Sequence, residues 1–361
     1  MSAPKTIDDL GGWPGVLALL SARSDLTAAE AYAALGDILA GNASAAQLAA
    51  FIFGLRCKGE TTEELTGLVR AMSDAASQVE VPEVMKGKLV DTCGTGGDRS
   101  GTINVSTIAA LVVAGAGVPV CKHGGRAASS RAGSADLLEA LGVAIDLDGV
   151  GVGRCLKEAN IGFCFAPRFH PSMRYAIPVR RELGVQTAFN LLGPLANPAR
   201  VSRQVVGVGD RRMASKMASV LGANGATKAM VVFGEDGLDE LSTTGPSTVV
   251  EWDAGAGAGG IRRYTVEPER LGLGLAQLDE LKGGDAAANA VFARRVLGGE
   301  AGAHRDIVVL NAAAGLLAGG AVSDLPAGVA AAAAAIDDGR AQVALDRLIE
   351  VSRAAAGSSQ G

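Results

Sequence analysis

The residues best suited to chemistry begin with a glycine-rich hexapeptide, Cys93-Gly94-Thr95-Gly96-Gly97-Asp98. An apolar run at 87–90 leads into it and predicts a short buried strand, and the small apolar residues at 108–117 predict a buried helix after it. Glycines let backbone amides approach an anion, and the unpaired N–H groups at a helix start favour phosphate or pyrophosphate. Ser106 and Thr107 add hydroxyls there that can bind phosphate oxygens or a metal ion.

This glycine-rich segment does not by itself establish a ligand, because such turns join strands to helices in many α/β proteins. A phosphate site and a purely structural turn therefore both remain open. The segment lacks the spacing of the dinucleotide fingerprint and the Gly-Lys-Ser/Thr ending of a P-loop, which argues against a dinucleotide or ATP site. Cys93 has no evident base near it in the sequence, so we expect a structural thiol rather than a nucleophile.

A cationic segment follows the next predicted strand, at 118–122. It reads Lys122-His123-Gly124-Gly125-Arg126 and continues into a hydroxyl-rich run at 129–134. Open α/β sheets place their ligand crevice at the carboxyl ends of strands, and cations with hydroxyls at that place suit a polyphosphate sugar. His123 is either a buried core histidine or a site residue, and its place at a strand end favours the site.

An acidic loop at 234–240 comes directly after a strand predicted at 230–233. Its carboxylates repel one another unless cations are present, and hard oxygen ligands suit Mg²⁺, which bridges readily to phosphates. A solvated acidic turn would explain the same residues. Taken together, the glycine-rich turn, the cationic segment and the acidic loop at three predicted strand ends favour a phosphate site more strongly than any one of them.

The elements that must position these residues fall into two groups. Residues 1–85 are predicted to be helical, with three capping boxes that pair Thr27 with Glu30, Ser44 with Gln47 and Thr61 with Glu64. From residue 86 onward, apolar runs alternate with helical patterns, as in a mostly parallel α/β sheet. Further strands are predicted at 143–147, 162–166, 205–208 and 248–252, and a helix at 129–141. The proline-rich stretch at 167–204 interrupts this alternation and is expected to be functional.

Composition limits the possible classes of function. The chain has 361 residues, with 33 basic and 38 acidic side chains and a formal charge of −5, which argues against a general nucleic-acid binder. Five cysteines without metal-ligand spacing indicate reduced thiols of a cytosolic protein. We see no apolar span of the roughly 18 residues that a membrane helix needs, so a cytoplasmic protein without a membrane partner is expected.

The motifs together resemble those of the anthranilate phosphoribosyltransferases of tryptophan biosynthesis. The resemblance covers nearly the whole chain, and its motifs lie at 93–98, 104–107, 122–126, 169–171, 178–184, 189–198, 236–240 and 311–314. It implies a small all-helical domain at 1–85, joined by helices from about 168–200, and a larger α/β domain at 86–361. It also implies the nucleoside phosphorylase and phosphoribosyltransferase type of architecture, a homodimer formed through the helical part, and Mg²⁺-dependent phosphoribosyl transfer to the amine of anthranilate.

The same resemblance implies roles for individual residues. Arg180 would be catalytic by meeting the carboxylate of anthranilate. Beyond the resemblance, we expect catalytic roles for Lys122, which would stabilise the departing pyrophosphate, and for His123, which would orient the acceptor. Anthranilate would lie against Gly94, Gly125 and Arg180, and Mg²⁺ against Ser106, Asp239 and Glu240. The phosphoribosyl pyrophosphate cradle would consist of Gly94, Gly97, Asp98, Thr102, Asn104, Val105, Ser106, Thr107, Lys122, Arg126, Ser130 and Ser134.

One position departs from the family's pattern. The second motif commonly reads Lys-His-Gly-Asn, and here Gly125 takes the place of the asparagine that contributes to the acceptor site. This keeps open a phosphoribosyltransferase with another aromatic amine acceptor. A nucleoside phosphorylase of similar architecture and a non-catalytic paralogue also remain open. The donor side of the site is unaffected by the departure.

Overall fold

The amino-terminal region consists of four helices whose starts are set by local sequence. The computed structural model describes residues 5–96, 98, 100–127, 131–256 and 260–358. The first helices are α1 (Gly12–Ser21), α2 (Ala28–Leu39), α3 (Ala45–Lys58) and α4 (Thr62–Asp74). All three predicted capping boxes are confirmed at the starts of α2, α3 and α4, where side chain and backbone satisfy each other's hydrogen bonds.

The rest of the chain forms a seven-stranded sheet covered by helices, so the predicted α/β class is confirmed. The strands are β1 (Val90–Gly94), β2 (Val120–Gly124), β3 (Ile161–Phe165), β4 (Arg203–Gly207), β5 (Lys228–Gly234), β6 (Ser247–Asp253) and β7 (Ile261–Val266). Their order is β3-β2-β1-β4-β5-β6-β7, with β3 to β5 mutually parallel and β6 and β7 antiparallel. The carboxyl ends of β1, β2, β4 and β5 therefore lie along one edge.

The remaining helices surround this sheet and extend the helical region. They are α5 (Val105–Gly115), α6 (Ser134–Leu141), α7 (Gly149–Ala159), α8 (Ala166–Phe169), α9 (Ile177–Leu183), α10 (Phe189–Leu195), α11 (Arg211–Ala223), α12 (Ala286–Leu297), α13 (Ala303–Ala318), α14 (Leu325–Asp337) and α15 (Arg340–Ser358). In the part of the chain described, no helix combines the length and apolarity needed to cross a bilayer.

Several of the local predictions differ from the structure, among them the helix predicted at 129–141, which begins at Ser134. The strand predicted at 143–147 is wrong: the segment pairs with no strand, and the N–H of Ala144 donates to Ser352 Oγ on α15 instead. Its alternating apolar side chains are buried in the main core, which explains the strand-like pattern. The first strand begins at Val90 rather than ending there, because the polar residues Asp91 and Thr92 belong to it. β7 was missed, since most of its side chains are exposed.

The proline-rich stretch packs on the amino-terminal helices. Its α9 contacts α3 and its α10 contacts α4. Val179, Phe189 and Leu192 share one apolar core with residues of α3 such as Phe51. This arrangement brings α10 to the carboxyl edge of the sheet, where Gly193 contacts His123 at the end of β2. The helical part thereby supplies one wall of the candidate site.

Candidate functional site

The glycine-rich loop leaves the end of β1 and is fastened to the acidic loop after β5. The N–H of Gly96 donates to Asp239 Oδ2 at 2.7 Å. A Cβ on Gly94 would lie 2.4 Å from the same carboxylate oxygen, so a side chain there would displace the Asp239 carboxylate. Gly96 has φ +66°, which also favours glycine. Asp98 accepts a hydrogen bond from the Ser100 hydroxyl at 2.6 Å, and Gly97 lies outside the described residues.

The loop enters α5 with part of its first turn directed at the acidic loop. The N–H of Ser106 donates to Glu240 Oε1 at 3.1 Å, and the Ser106 carbonyl accepts from the Thr92 hydroxyl. Val105 and Thr107 are buried, and Thr102 forms an antiparallel bridge with Lys282. The order strand, glycine-rich turn, helix start is therefore present as the sequence predicted, and the predicted metal residues Ser106 and Glu240 are in contact.

Lys122 connects the end of β2 to this helix start. Its side chain is buried, its ammonium donates to the Thr92 carbonyl, and it lies 3.4 Å from Ser106 Oγ. The cation therefore lies beside the start of α5, and its charge offsets only part of the rise that burial causes in the pKa of Glu240. A buried ammonium in this position can neutralise a phosphate brought to the loop.

The carboxylates of the acidic loop carry more negative charge than their surroundings balance. Burial and the nearby Asp98 carboxylate raise the pKa of Asp239 to about 6, and burial together with Asp239 raises the pKa of Glu240 well above its usual range. Among the described residues, no group of three or more His, Cys, Asp or Glu side chains has the geometry of a metal cage. Mg²⁺ commonly binds one or two carboxylates and keeps waters and substrate oxygens, so this oxygen-rich, uncompensated set fits that ion.

Asn311 on α13 positions the acidic loop from behind. Its side-chain oxygen accepts from the Leu241 N–H at 2.9 Å, and its amide donates to the Leu241 carbonyl at 2.8 Å. Leu241 directly follows Glu240, so this two-way contact fixes the backbone at the carboxylates. The sequence analysis did not assign this role to Asn311, because the partner lies 70 residues away.

His123 is paired with a second histidine that sequence reasoning missed. Its Nδ1 is 3.0 Å from the Gly193 carbonyl, and its ring centroid is 5.0 Å from that of His170. Both Nε2 atoms are buried without a hydrogen-bond partner among the described residues. Burial lowers the pKa of His123 to about 3 and that of His170 to about 4, so both rings are neutral at physiological pH. Two neutral imidazoles with unused nitrogens suit the orientation of a polar ligand.

A buried carboxylate supports His123 from within the sheet. Asp91 on β1 accepts from the His123 N–H at 3.2 Å and from the Asn197 amide at 2.8 Å. Asn197 also donates to the Cys121 carbonyl at 2.8 Å, so the segment after α10 is tied to β1 and β2. Burial raises the pKa of Asp91. Asp91, a charged residue within a buried strand, is the sequence feature from which this network could have been predicted.

The other described residues of the cationic segment contact α6 or one another. Arg126 forms ion pairs with Asp136 and Glu139 of α6 at 2.9 and 2.8 Å, so its charge is already balanced. The Ser134 hydroxyl donates to the Gly125 carbonyl at 3.3 Å. A Cβ added to Gly125 would meet nothing closer than 3.9 Å. Ser130 lies outside the described residues.

Arg180 lies on α9, which packs on the amino-terminal helices. Its guanidinium lies 5.6 Å from the centre of the Phe189 ring, and no acceptor in the described chain forms a hydrogen bond or ion pair with it. Burial lowers its pKa, which shows that the cation is partly desolvated without a compensating anion. Such a guanidinium is available for a planar carboxylate. By contrast, burial raises the pKa of the Cys93 thiol well above its usual range, as expected for a structural cysteine.

Sequence comparison places both parts of the chain in one group of enzymes. The sequence model described as the glycosyl transferase family a/b domain matches residues 86–342, and the one described as the helical bundle domain of that family matches residues 15–76. An anthranilate phosphoribosyltransferase from Chloroflexus aggregans is 50% identical over 338 residues, which cover 93% of this chain and 97% of the relative.

Solved structures agree with the sequence comparison. The crystal structure of anthranilate phosphoribosyltransferase from Thermus thermophilus is 44% identical, covers 94% of this chain and 99% of its own, and superposes with a TM-score of 0.87. The Saccharomyces cerevisiae enzyme in complex with PRPP and Mg is 26% identical, covers 95% and 98%, and has a TM-score of 0.85.

Proposed function

The chain belongs to the anthranilate phosphoribosyltransferase family, and on that premise we propose that it transfers the phosphoribosyl group of phosphoribosyl pyrophosphate to the amine of anthranilate. The observation that carries the proposal is the meeting of three strand-end segments at one edge of the sheet. Gly96 contacts Asp239, Ser106 contacts Glu240, and Lys122 lies beside Ser106. Backbone amides, a buried cation and a carboxylate pair are what a pyrophosphate and Mg²⁺ require.

The donor would be held by the glycine-rich loop and its neighbours. Gly94, Asp98, Thr102, Asn104, Val105, Ser106, Thr107, Lys122 and Ser134 are the described members of this cradle, to which the sequence adds Gly97 and Ser130. Arg126 would join them through guanidinium N–H groups that its contacts with Asp136 and Glu139 leave unused, and these carboxylates would reduce its net charge there. Ser106, Asp239 and Glu240 would hold Mg²⁺, which supplies positive charge for the departing pyrophosphate when bound.

The reaction needs no covalent intermediate with the protein. The amine nitrogen forms the bond to the anomeric carbon while the bond from that carbon to the pyrophosphate oxygen breaks, and the electron pair leaves with pyrophosphate. Lys122 and the loop amides stabilise this leaving charge. Arg180 holds the acceptor carboxylate, and neutral His123 and His170 orient the acceptor within the same wall. The nitrogen loses one proton as the new bond forms, and the acceptor's own carboxylate, which lies beside the amine, can take it, so a strong side-chain base is not required.

The assay for this function is pyrophosphate release from phosphoribosyl pyrophosphate and Mg²⁺, with and without anthranilate. We expect release that depends on anthranilate. Donor binding without release would point to a different aromatic amine, which the glycine at position 125 makes the specific alternative to test. Absence of both donor binding and release would contradict the proposal.

Two further features belong to the same proposal. The helical part, residues 1–85 with helices from 168–200, would form a homodimer of a cytoplasmic enzyme, and residues 86–361 would carry the donor. Exposed apolar side chains on this part, Phe53 on α3, Tyr175 in the turn before α9 and Ile177 at its start, support a buried interface there. Sedimentation of the wild-type chain and of Phe53→Glu tests it, since a dimer should dissociate in the variant and a monomer should show no change.

A further inference from the structure

A buried asparagine on α12 holds the end of the glycine-rich loop. Asn289 is 1% exposed and donates from Nδ2 to Oδ1 of Asn104 at 2.9 Å, across 185 residues of sequence. Its own Oδ1 accepts from the Gly284 N–H at 2.7 Å. Because Oδ1 is fixed by this backbone donor, the side-chain amide has one orientation and aims its N–H at Asn104.

The contact with Asn289 takes the place of the helix-capping hydrogen bond that Asn104 would usually accept. It occupies the N-cap position of α5, where an asparagine side chain usually accepts from a first-turn N–H, but no such cap is formed. Its Oδ1 accepts from Asn289 instead, and its Nδ2 donates to the Ala132 carbonyl at 2.9 Å. The Asn104 amide thus joins the helix start, the segment before α6 and α12.

The backbone around this contact is paired and closely packed. The N–H of Ile103 donates to the Leu281 carbonyl at 3.1 Å, and the N–H of Gly283 donates to the Gly101 carbonyl at 2.8 Å. A Cβ on Gly283 would lie 2.6 Å from Asn289 Oδ1 and 3.0 Å from Ile103 Cα. The segment before α12 therefore acts as a short strand against the loop, and Asn289 closes its end.

We propose that Asn289 is a positioning residue for the phosphoribosyl pyrophosphate donor, acting through Asn104 to hold residues 101–107 in their binding geometry before the donor arrives. The inference rests on the proposed function for the identity of the donor. Its physical basis is preorganisation: a loop already fixed by protein contacts loses less conformational entropy when the ligand binds. A satisfied buried amide also prevents Asn104 from turning back to cap α5.

The first test measures donor binding by calorimetry, with Mg²⁺ and without acceptor, in Asn289→Ala, Asn104→Ala and the double variant. Asn289→Ala should raise the donor Kd about tenfold, which corresponds to about 1.4 kcal/mol. The double variant should bind no more weakly than the poorer single variant, because both remove the same contact. Fully additive losses would overturn the proposal. Asn289→Asp keeps the side-chain volume and the acceptor for Gly284 and should also weaken donor binding.

A control variant separates positioning from a general loss of stability. Asn160 at the opposite end of the sheet donates to the Ala114 carbonyl at 3.1 Å, so Asn160→Ala also removes a partly buried amide contact. It should lower thermal stability without changing the donor Kd. A Kd change in Asn160→Ala equal to that in Asn289→Ala would mean that destabilisation alone explains the effect.

The second test does not depend on the donor. Hydrogen–deuterium exchange of the ligand-free protein should be faster at 101–107 in Asn289→Ala than in the wild-type chain and in Asn160→Ala. Unchanged exchange there would overturn the proposal, whatever the chain binds. If the wild-type chain binds no phosphoribosyl pyrophosphate, the proposed function fails, while faster exchange in Asn289→Ala still supports the role of Asn289 in holding the loop.

Discussion

Replacement of Arg180 by alanine should weaken the acceptor without harming the fold. The guanidinium is partly desolvated and forms no ion pair with any residue the structure describes, and it lies over the Phe189 ring at 5.6 Å. A cation placed in this way contributes about 0.5–1 kcal/mol through the ring, and removal of its desolvation cost opposes that loss. We therefore expect Arg180→Ala to change the free energy of unfolding by about 1 kcal/mol or less.

The effect on the acceptor should be much larger. Hydrogen bonds to charged groups contribute about 1.5–3 kcal/mol, so loss of the guanidinium–carboxylate contact should raise the acceptor KM about 10- to 150-fold. The donor KM should remain within about twofold of the wild type, because the two substrates make independent contacts. Arg180→Lys keeps the charge but loses the planar fork, so its acceptor KM should lie between those of the wild type and the alanine variant.

Steady-state kinetics with each substrate varied at saturating levels of the other measure both constants. Arg181 supplies the matched control, because it is the next residue on α9 and its side chain is exposed. Arg181→Ala should leave both KM values unchanged. The reasoning is refuted if Arg180→Ala raises donor and acceptor KM equally, or if Arg181→Ala has the same effect.

Three further predictions concern the metal, pH and acceptor specificity. Asp239→Asn combined with Glu240→Gln should raise the Mg²⁺ concentration needed for half-maximal activity at least tenfold. A loss of about 1.4 kcal/mol in the free energy of metal binding is enough for that change. An unaltered Mg²⁺ titration would contradict the metal site. The pKa values of about 3 for His123 and about 4 for His170 lie below the unfolded value near 6.5, so the unfolded chain binds more protons as pH falls. Each histidine should therefore lower the free energy of unfolding by about 2 kcal/mol between pH 7 and pH 5, whereas the raised pKa values of Asp239 and Glu240 act in the opposite direction. Urea titrations at the two pH values should therefore compare the wild type with His170→Asn, which should lose about 2 kcal/mol less, and an equal loss in both chains would contradict the assignment. Gly125→Asn should fold with a Tm close to that of the wild type, because an added Cβ has no neighbour nearer than 3.9 Å. The variant should change the acceptor KM more than the donor KM. A large fall in Tm would show that the space for the side chain is not available.

Local interactions made the helical starts and most strands accessible from the sequence. The capping boxes at Thr27, Ser44 and Thr61 depend on residues three apart and form as predicted. The apolar runs before the glycine-rich and cationic segments located β1 and β2 approximately, although both strands extend into polar residues such as Asp91 and Lys122. The failure at 143–147 arose because burial against α15 produces the same alternation as a strand, while pairing depends on a neighbour that the local sequence does not contain.

The candidate site likewise has one part that the sequence predicted and another that only the tertiary structure shows. The sequence by itself determined the residue types at the strand ends, and with them the case for phosphate and Mg²⁺, because parallel strands bring their carboxyl ends to one edge. Only the tertiary structure decided that His170 lies against His123, that Arg126 is held by two carboxylates, and that Asn289 reaches Asn104. These contacts join segments separated by 10 to 185 residues, and their energies depend on burial and orientation, which arise when the helices pack on the sheet.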